Sequence, residues 1–113
     1  MTELEKPKAE LQATLLRAIA SRREIELFYK RAGSATGRRM VAPHALFRSG
    51  DGRHFLHAFQ TEGVSDRGGL PDWRSFALES IAGATILSAQ FEPREDYDPA
   101  SKAYSAGLLA SVH

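Results

Sequence analysis

The chain has 113 residues, 42% of them hydrophobic and 26% charged, which is enough for one domain with an ordinary core but not for two. It holds no cysteine, so disulfides, thiolate catalysis and cysteine-ligated metal sites are excluded. Net charge is +1 but uneven: residues 22–74 carry ten Lys/Arg against six Asp/Glu, and residues 75–113 carry two against five. A basic middle favours an anionic ligand, although this excess is modest for a dedicated nucleic-acid binder.

Residues 8–22 predict an amphipathic helix, because Leu11, Leu15, Ala18 and Ile19 recur at helical spacing, with Pro7 suited to the first turn. From Glu24 the period changes to two. Ile25, Leu27 and Tyr29 alternate with Glu26 and Phe28 as a first strand. Residues 31–38 read as a turn flanked by basic residues, and 39–42 as a short second strand. Pro43 marks a strand end, edge or bulge, after which Ala45–Arg48 resumes. Ser49-Gly50-Asp51-Gly52 then turns into His54–Gln60. In that strand Phe55, His57 and Phe59 share one face, and Leu56, Ala58 and Gln60 the other. Neither face is wholly polar, so the strand is expected to be central, covered on both sides or lining a site.

Residues 61–72 read as a loop long enough to suggest function or mobility. Trp73–Leu78 alternates again, and Ile81–Leu87 gives another strand, with a bend at Ala82-Gly83. In the acidic tail, Phe91 and Tyr97 are candidates to fold back on the body, and residues 108–112 to form a last strand or helix. One helix followed by about five short strands predicts a mainly β fold, a small barrel or curled sheet. No apolar run approaches the roughly 20 residues of a membrane span, and Met1-Thr2-Glu3-Leu4-Glu5 does not read as a signal peptide, so a cytoplasmic location without membrane partners is expected.

The order of these segments resembles the WYL domain family. A helix ending LLRAIASRREIELFY is followed by RRMVAPHAL, GRHFLHAFQ and WRSFALESI, and then by a tail FEPREDYDP similar to that of short stand-alone bacterial members. The similarity spans about residues 15–91. It implies a five-stranded Sm-like or SH3-like barrel over residues 24–91, an N-terminal helix over 1–23 and an acidic extension over 92–113. It further implies a non-enzymatic sensor of a nucleotide or single-stranded nucleic acid, accessory to transcription or defence regulation. The eponymous Trp-Tyr-Leu run is His54-Phe55-Leu56 here, and Ala77 and Ser80 stand where further arginines are common.

By motif position, Tyr29, Arg39, His44, His57 and Arg74 are the ligand-binding candidates. Arginine forks grip phosphate and aromatic rings stack on bases. The bland alternative for Arg39 and Arg74 is pairing with Asp72 or Glu79. Trp73 and Phe55 are candidates for stacking or for an interface. His54 and His57 point to opposite faces of their strand and have no supporting carboxylate, so no metal site is expected. No nucleophile elbow, HExxH, P-loop or GxGxxG is present, and no catalytic residue or cofactor is expected. The rival function is a protein interaction or self-assembly module, working through a barrel edge or the Leu70–Trp73 loop.

Overall fold

A computed structural model describes residues 5–66 and 69–113; Met1–Leu4, read above as no signal peptide, and Arg67 and Gly68 of the expected loop lie outside the described residues. The apolar stripe of the first segment becomes α1 (Glu5–Ser21), with Leu15, Ala18 and Ile19 buried and Leu11 packed beside them. The helix stops where Arg22 adopts a left-handed φ of 54° and returns its N–H to the Ile19 carbonyl.

Six strands follow: β1 (Arg23–Tyr29), β2 (Gly37–Arg48), β3 (His54–Gly63), β4 (Asp72–Ala77), β5 (Ile81–Gln90) and β6 (Leu108–Ser111). The sheet order is β4-β3-β2-β1-β5, every pairing is antiparallel, and β6 joins the side of β2. The mainly β fold with an N-terminal helix is therefore present. The sheet is open, however: among the described residues no ladder joins β4 to β5, and there are six strands rather than five. Side chains and a 3-10 turn (Leu78–Ser80) do the work of closure instead. The sheet curls until the Tyr29 hydroxyl accepts the Ala77 N–H at 3.1 Å, while Lys30 N–H donates to the Ser80 carbonyl at 2.9 Å.

The two segments expected around Pro43 are one continuous strand, β2, with a bulge. Pro43 pairs with Ala58 and Ala45 with His57, so His44 is the extra residue, and the proline sits where the ladder is already irregular. The first half of β2 pairs with β1 and the second half with β6. The bend expected at Ala82-Gly83 is likewise a bulge, since Phe28 pairs with Gly83 and Tyr29 with Ile81. The change of direction comes earlier, in the 3-10 turn.

β3 shows the expected alternation. Leu56, Ala58 and Gln60 are buried on the inner side with Ile25, Leu27, Val41, Leu46 and Phe76, beneath α1. Phe55, His57 and Phe59 are half-buried on the outer side. The tail covers that face through Tyr104, buried with Phe47 against Phe55 and Tyr97, while Val112 is buried in the inner core; Val112 N–H donates to the His44 carbonyl at 2.8 Å, and the Tyr97 and Ser111 hydroxyls share a hydrogen bond of 2.7 Å.

Candidate anion-binding cleft

The register of the strands brings basic residues to one corner. Leu27 pairs with Arg39, so Tyr29, two residues further on, leans over the same face as Arg39. Ala58 pairs with Arg74, which puts Arg74 on the inner face, and His57 pairs with Ser75 on the other face of the edge strand β4. A cleft of about 330 Å³ opens here, lined by Tyr29, Arg31, Arg39, His57, Asp66, Trp73, Arg74 and Phe76 among others. That is at the lower end of the roughly 300–1,000 Å³ of small-ligand sites.

Gly63 makes the corner possible. It has φ +103° and pairs with Arg39, and a Cβ there would lie 2.2 Å from the Arg38 carbonyl oxygen and 2.8 Å from the Arg39 Cα. Only glycine lets the start of the β3–β4 loop come this close to β2.

Arg39 is 2% exposed. Its Nη2 donates to the Ala35 carbonyl at 2.8 Å and lies 3.9 Å from Asp66, and its Nη1 donates to Gln60 Oε1 at 3.5 Å. The Gln60 amide is held in that orientation by donating to the Glu62 and Val64 carbonyls at 3.0 and 2.7 Å. The rings of Tyr29 and Phe76 lie 5.1 and 5.4 Å from the guanidinium carbon, within cation–π range. Nε of Arg39 is buried with no hydrogen-bond partner among the described residues. Burial pulls the Arg39 guanidinium below its ordinary pKa; Asp66 opposes this, and the like charge of Arg74 adds to it.

Arg74 donates from Nη1 to the Trp73 carbonyl at 2.8 Å and to Asp72 at 3.1 Å, and from Nη2 to the Ser65 hydroxyl at 3.1 Å. Arg31, fully exposed at the mouth, is raised above the ordinary arginine value, chiefly by its hydrogen bond to the Tyr29 side chain. Asp66 accepts from the Ala35 N–H, and that bond holds its carboxyl below the usual range. The lining thus sets three guanidiniums against one carboxylate, a potential suited to an anion.

Of the residues singled out in the sequence, Tyr29, Arg39, His57, Trp73 and Arg74 meet at this cleft. His44 and Phe55 do not. His44 is fully buried, its Nδ1 donating to the Ala42 carbonyl at 2.9 Å and its Nε2 accepting the Arg94 N–H at 3.1 Å. Its ring is walled in by Trp73, Phe91 and Tyr97 at 4.8, 5.1 and 5.2 Å. Being the bulged residue of β2 is what turns it away from the arginines. Phe55 stacks on Phe47 at 5.7 Å, with the Arg53 guanidinium 5.1 Å from its ring.

The pairing alternative holds for Arg74, which meets Asp72; Arg39 faces Asp66, and Glu79 goes to Arg53. Sequence reasoning passed over Arg31, Gln60, Gly63 and Asp66. The long loop was flagged for function and supplies Ser65 and Asp66, but Arg31 read as a solvated hairpin charge. Among the described residues no group of three His, Asp or Glu side chains is placed to hold a metal ion. Nor is any helix long and apolar enough to cross a membrane.

The family model of the WYL domain matches residues 10–86, from α1 into β5. The chain belongs to the WYL domain family. Among solved structures, this WYL domain is similar to proteasome accessory factor B/C (PafBC) of Arthrobacter aurescens, with a TM-score of 0.65 over 79% of the chain. At 18% identity, and with only 13% of that protein's length covered, the likeness is one of fold. No match is found among curated proteins. The arginine cleft lies inside the WYL match, whereas most of the tail that covers the outer face lies beyond it.

Proposed function

We propose that this WYL domain is a non-enzymatic regulatory sensor, and that the cleft takes the phosphate of a nucleotide or of single-stranded nucleic acid. The observation that carries this reading is Arg39: a guanidinium 2% exposed, with an unpartnered Nε, lining an open cleft beside two further arginines. Burying such a group is costly unless something completes its hydrogen bonds. The Nε is closed to solvent in this structure, so a phosphate oxygen completes it with a charge-assisted bond once the cleft wall shifts to admit it, and Trp73 and His57 at the rim offer rings for a base, each stack worth roughly 1–3 kcal/mol. The family suggests an accessory role in transcription or defence regulation, with the curled sheet serving as an SH3-like or Sm-like barrel.

Fluorescence anisotropy with short single-stranded DNA and RNA at low salt tests the reading. Three arginine contacts predict a slope of log K against log salt of about −2, since each phosphate neutralised on a single strand contributes about −0.7. Arg74→Ala is expected to weaken binding about tenfold and to cut the slope by roughly one contact. Arg39→Lys keeps the charge but loses the fork, and is expected to weaken binding as much. Absence of binding to either polymer or to free nucleotides below about millimolar sinks the proposal.

One observation favours the second reading, a self-assembling module. Leu108 and Leu109 are exposed on β6, whose far edge carries no strand among the described residues. The occupant would be another copy of the chain, and light scattering of wild type against Leu109→Glu decides it. Trp73 is the weaker anchor for such an interface, because its indole N–H is tied to Asp96 at 2.9 Å.

A further inference from the structure

Behind Trp73, on the side away from the arginines, the tail builds a second concavity. Four rings close a circuit there. His57 lies 4.7 Å from Trp73, Trp73 lies 6.3 Å from Tyr97, Tyr97 lies 6.4 Å from Tyr104, and Tyr104 lies 6.0 Å from His57. They do not collapse on one another but border a cavity of about 240 Å³, with Asp96 and Asp98 at its rim.

No arginine or lysine lines this cavity. The nearby cation, Arg94, is bonded to Asp96 at 3.0 Å and its guanidinium is laid over Phe59 at 3.8 Å, a ring outside the lining. Asp96 is further engaged by the Trp73 indole N–H at 2.9 Å. The Asp98 carboxylate accepts only the Ala100 N–H, at 2.9 Å, among its described hydrogen bonds, and keeps acceptor capacity.

The local charge is felt by the rings. Tyr104 is pushed up to about 12, first by burial and then by its neighbours Tyr97, a phenol that is itself neutral at ordinary pH, and Asp98. His57 is held neutral by burial, with its Nδ1 at 2.5 Å from the Tyr104 hydroxyl. Aromatic rings lining a small cavity, with Asp96 taken by Arg94 but the Asp98 carboxylate in none of the described ion pairs, form a setting in which an ammonium or guanidinium group is bound by cation–π attraction.

We propose that the His57–Trp73–Tyr97–Tyr104 circuit is a cage for an organic cation, either a small quaternary ammonium or a methylated lysine side chain on a partner. This site shares the His57 and Trp73 rings with the arginine cleft but is otherwise built from the tail, since Asp96, Tyr97, Asp98, Ser101 and Tyr104 lie beyond the WYL match.

Trp73 is the only tryptophan, so its emission reads the cage directly. The full chain is titrated with tetramethylammonium and with choline at fixed ionic strength, and with 3,3-dimethylbutanol as the uncharged isostere of choline. The methyl resonances of each probe are followed in parallel for the upfield shift that ring currents impose. Saturable binding of the cations in the millimolar range, at least tenfold tighter than the isostere, is the expected result. Asp98→Asn, at an exposed position, is expected to weaken it about fivefold, and Arg17→Ala, exposed on α1, to leave it unchanged.

A trimethyllysine peptide that binds more than tenfold tighter than tetramethylammonium assigns the cage to a protein partner; equal affinity assigns it to a free small cation. No saturable response to any cation up to about 100 mM, or equal binding of the isostere, overturns the proposal. So does an Asp98→Asn variant that binds as well as wild type.

Discussion

At the scale of single residues, the sharpest contrast is between two buried polar side chains of β2. Arg39 is buried with one donor unmet and lines a cleft, whereas His44 is buried with both ring nitrogens used. His44 must stay neutral, because a proton on Nε2 would confront the Arg94 N–H that this nitrogen accepts. Burial lowers its pKa, and His57 is lowered for the same reason. The unfolded chain therefore binds more protons than the folded one near pH 6. Stability from these groups is complete above the unfolded value of about 6.5 and is lost as pH falls through the depressed folded values.

Urea unfolding at pH 7.5 and pH 5 is expected to show wild type losing stability with acid and His44→Gln losing less of it. At pH 7.5, His44→Ala is expected to cost about 2–4 kcal/mol, from the lost ring and two lost hydrogen bonds. A change below about 0.5 kcal/mol would deny the histidine its structural place. In the sequence, His44 and Arg39 were both ligand-binding candidates, Arg39 in the short strand 39–42 and His44 just past the break at Pro43. What separates them is the bulge, which shifts the facing by one residue and which Pro43 announced without fixing its consequence.

At the scale of elements, β2 is the strand on which the rest depends: β1 and β6 share one of its edges and β3 takes the other. Gly63 pairs with its Arg39 and has no room for a Cβ, so Gly63→Ala is expected to force β2 and the β3–β4 loop apart at Arg39. A positive φ and a Cβ only 2.2 Å from a backbone oxygen make a loss of at least about 2 kcal/mol the expected result in chemical denaturation. Oligonucleotide affinity should fall with it. A variant as stable as wild type would mean that the close approach is not needed.

The strands themselves were legible, because period-two alternation and turn residues are local signals; Ile25, Leu27 and Tyr29 are buried as their spacing required. The tail was not. β6 pairs Ala45 with Ser111, and nothing in a four-residue run states which strand it will join across that separation. Phe91 and Tyr97 hinted at a fold-back, but the ring circuit needs Tyr104, whose surroundings carry no periodic pattern.

At the scale of the whole molecule, charge is sorted by face more clearly than by sequence. The basic middle of the chain places Arg31, Arg39 and Arg74 at one corner, while the acidic tail brings Asp96 and Asp98 to the other side of Trp73. The basic block was visible in composition; that the His57 and Trp73 rings stand between the two fields was not. Of the expected small barrel or curled sheet, the described residues form an open, curled sheet, because the strand signals specify ladders between neighbours and say nothing of whether the last edge meets the first.

The unmet donor of Arg39 gives the molecule a thermal handle. A fold that keeps a charged group in its interior holds less stability than the same fold with an apolar side chain there, and a ligand restores the difference by mass action. Without ligand, Arg39→Met is expected to melt no lower than wild type. An anion that occupies the cleft at a hundred times its dissociation constant adds about 2.7 kcal/mol to wild type, a rise of roughly 10–20 °C for a domain of this size, and far less to the variant. Melting the two proteins side by side against a panel of phosphorylated compounds therefore finds the effector without a guess at its identity.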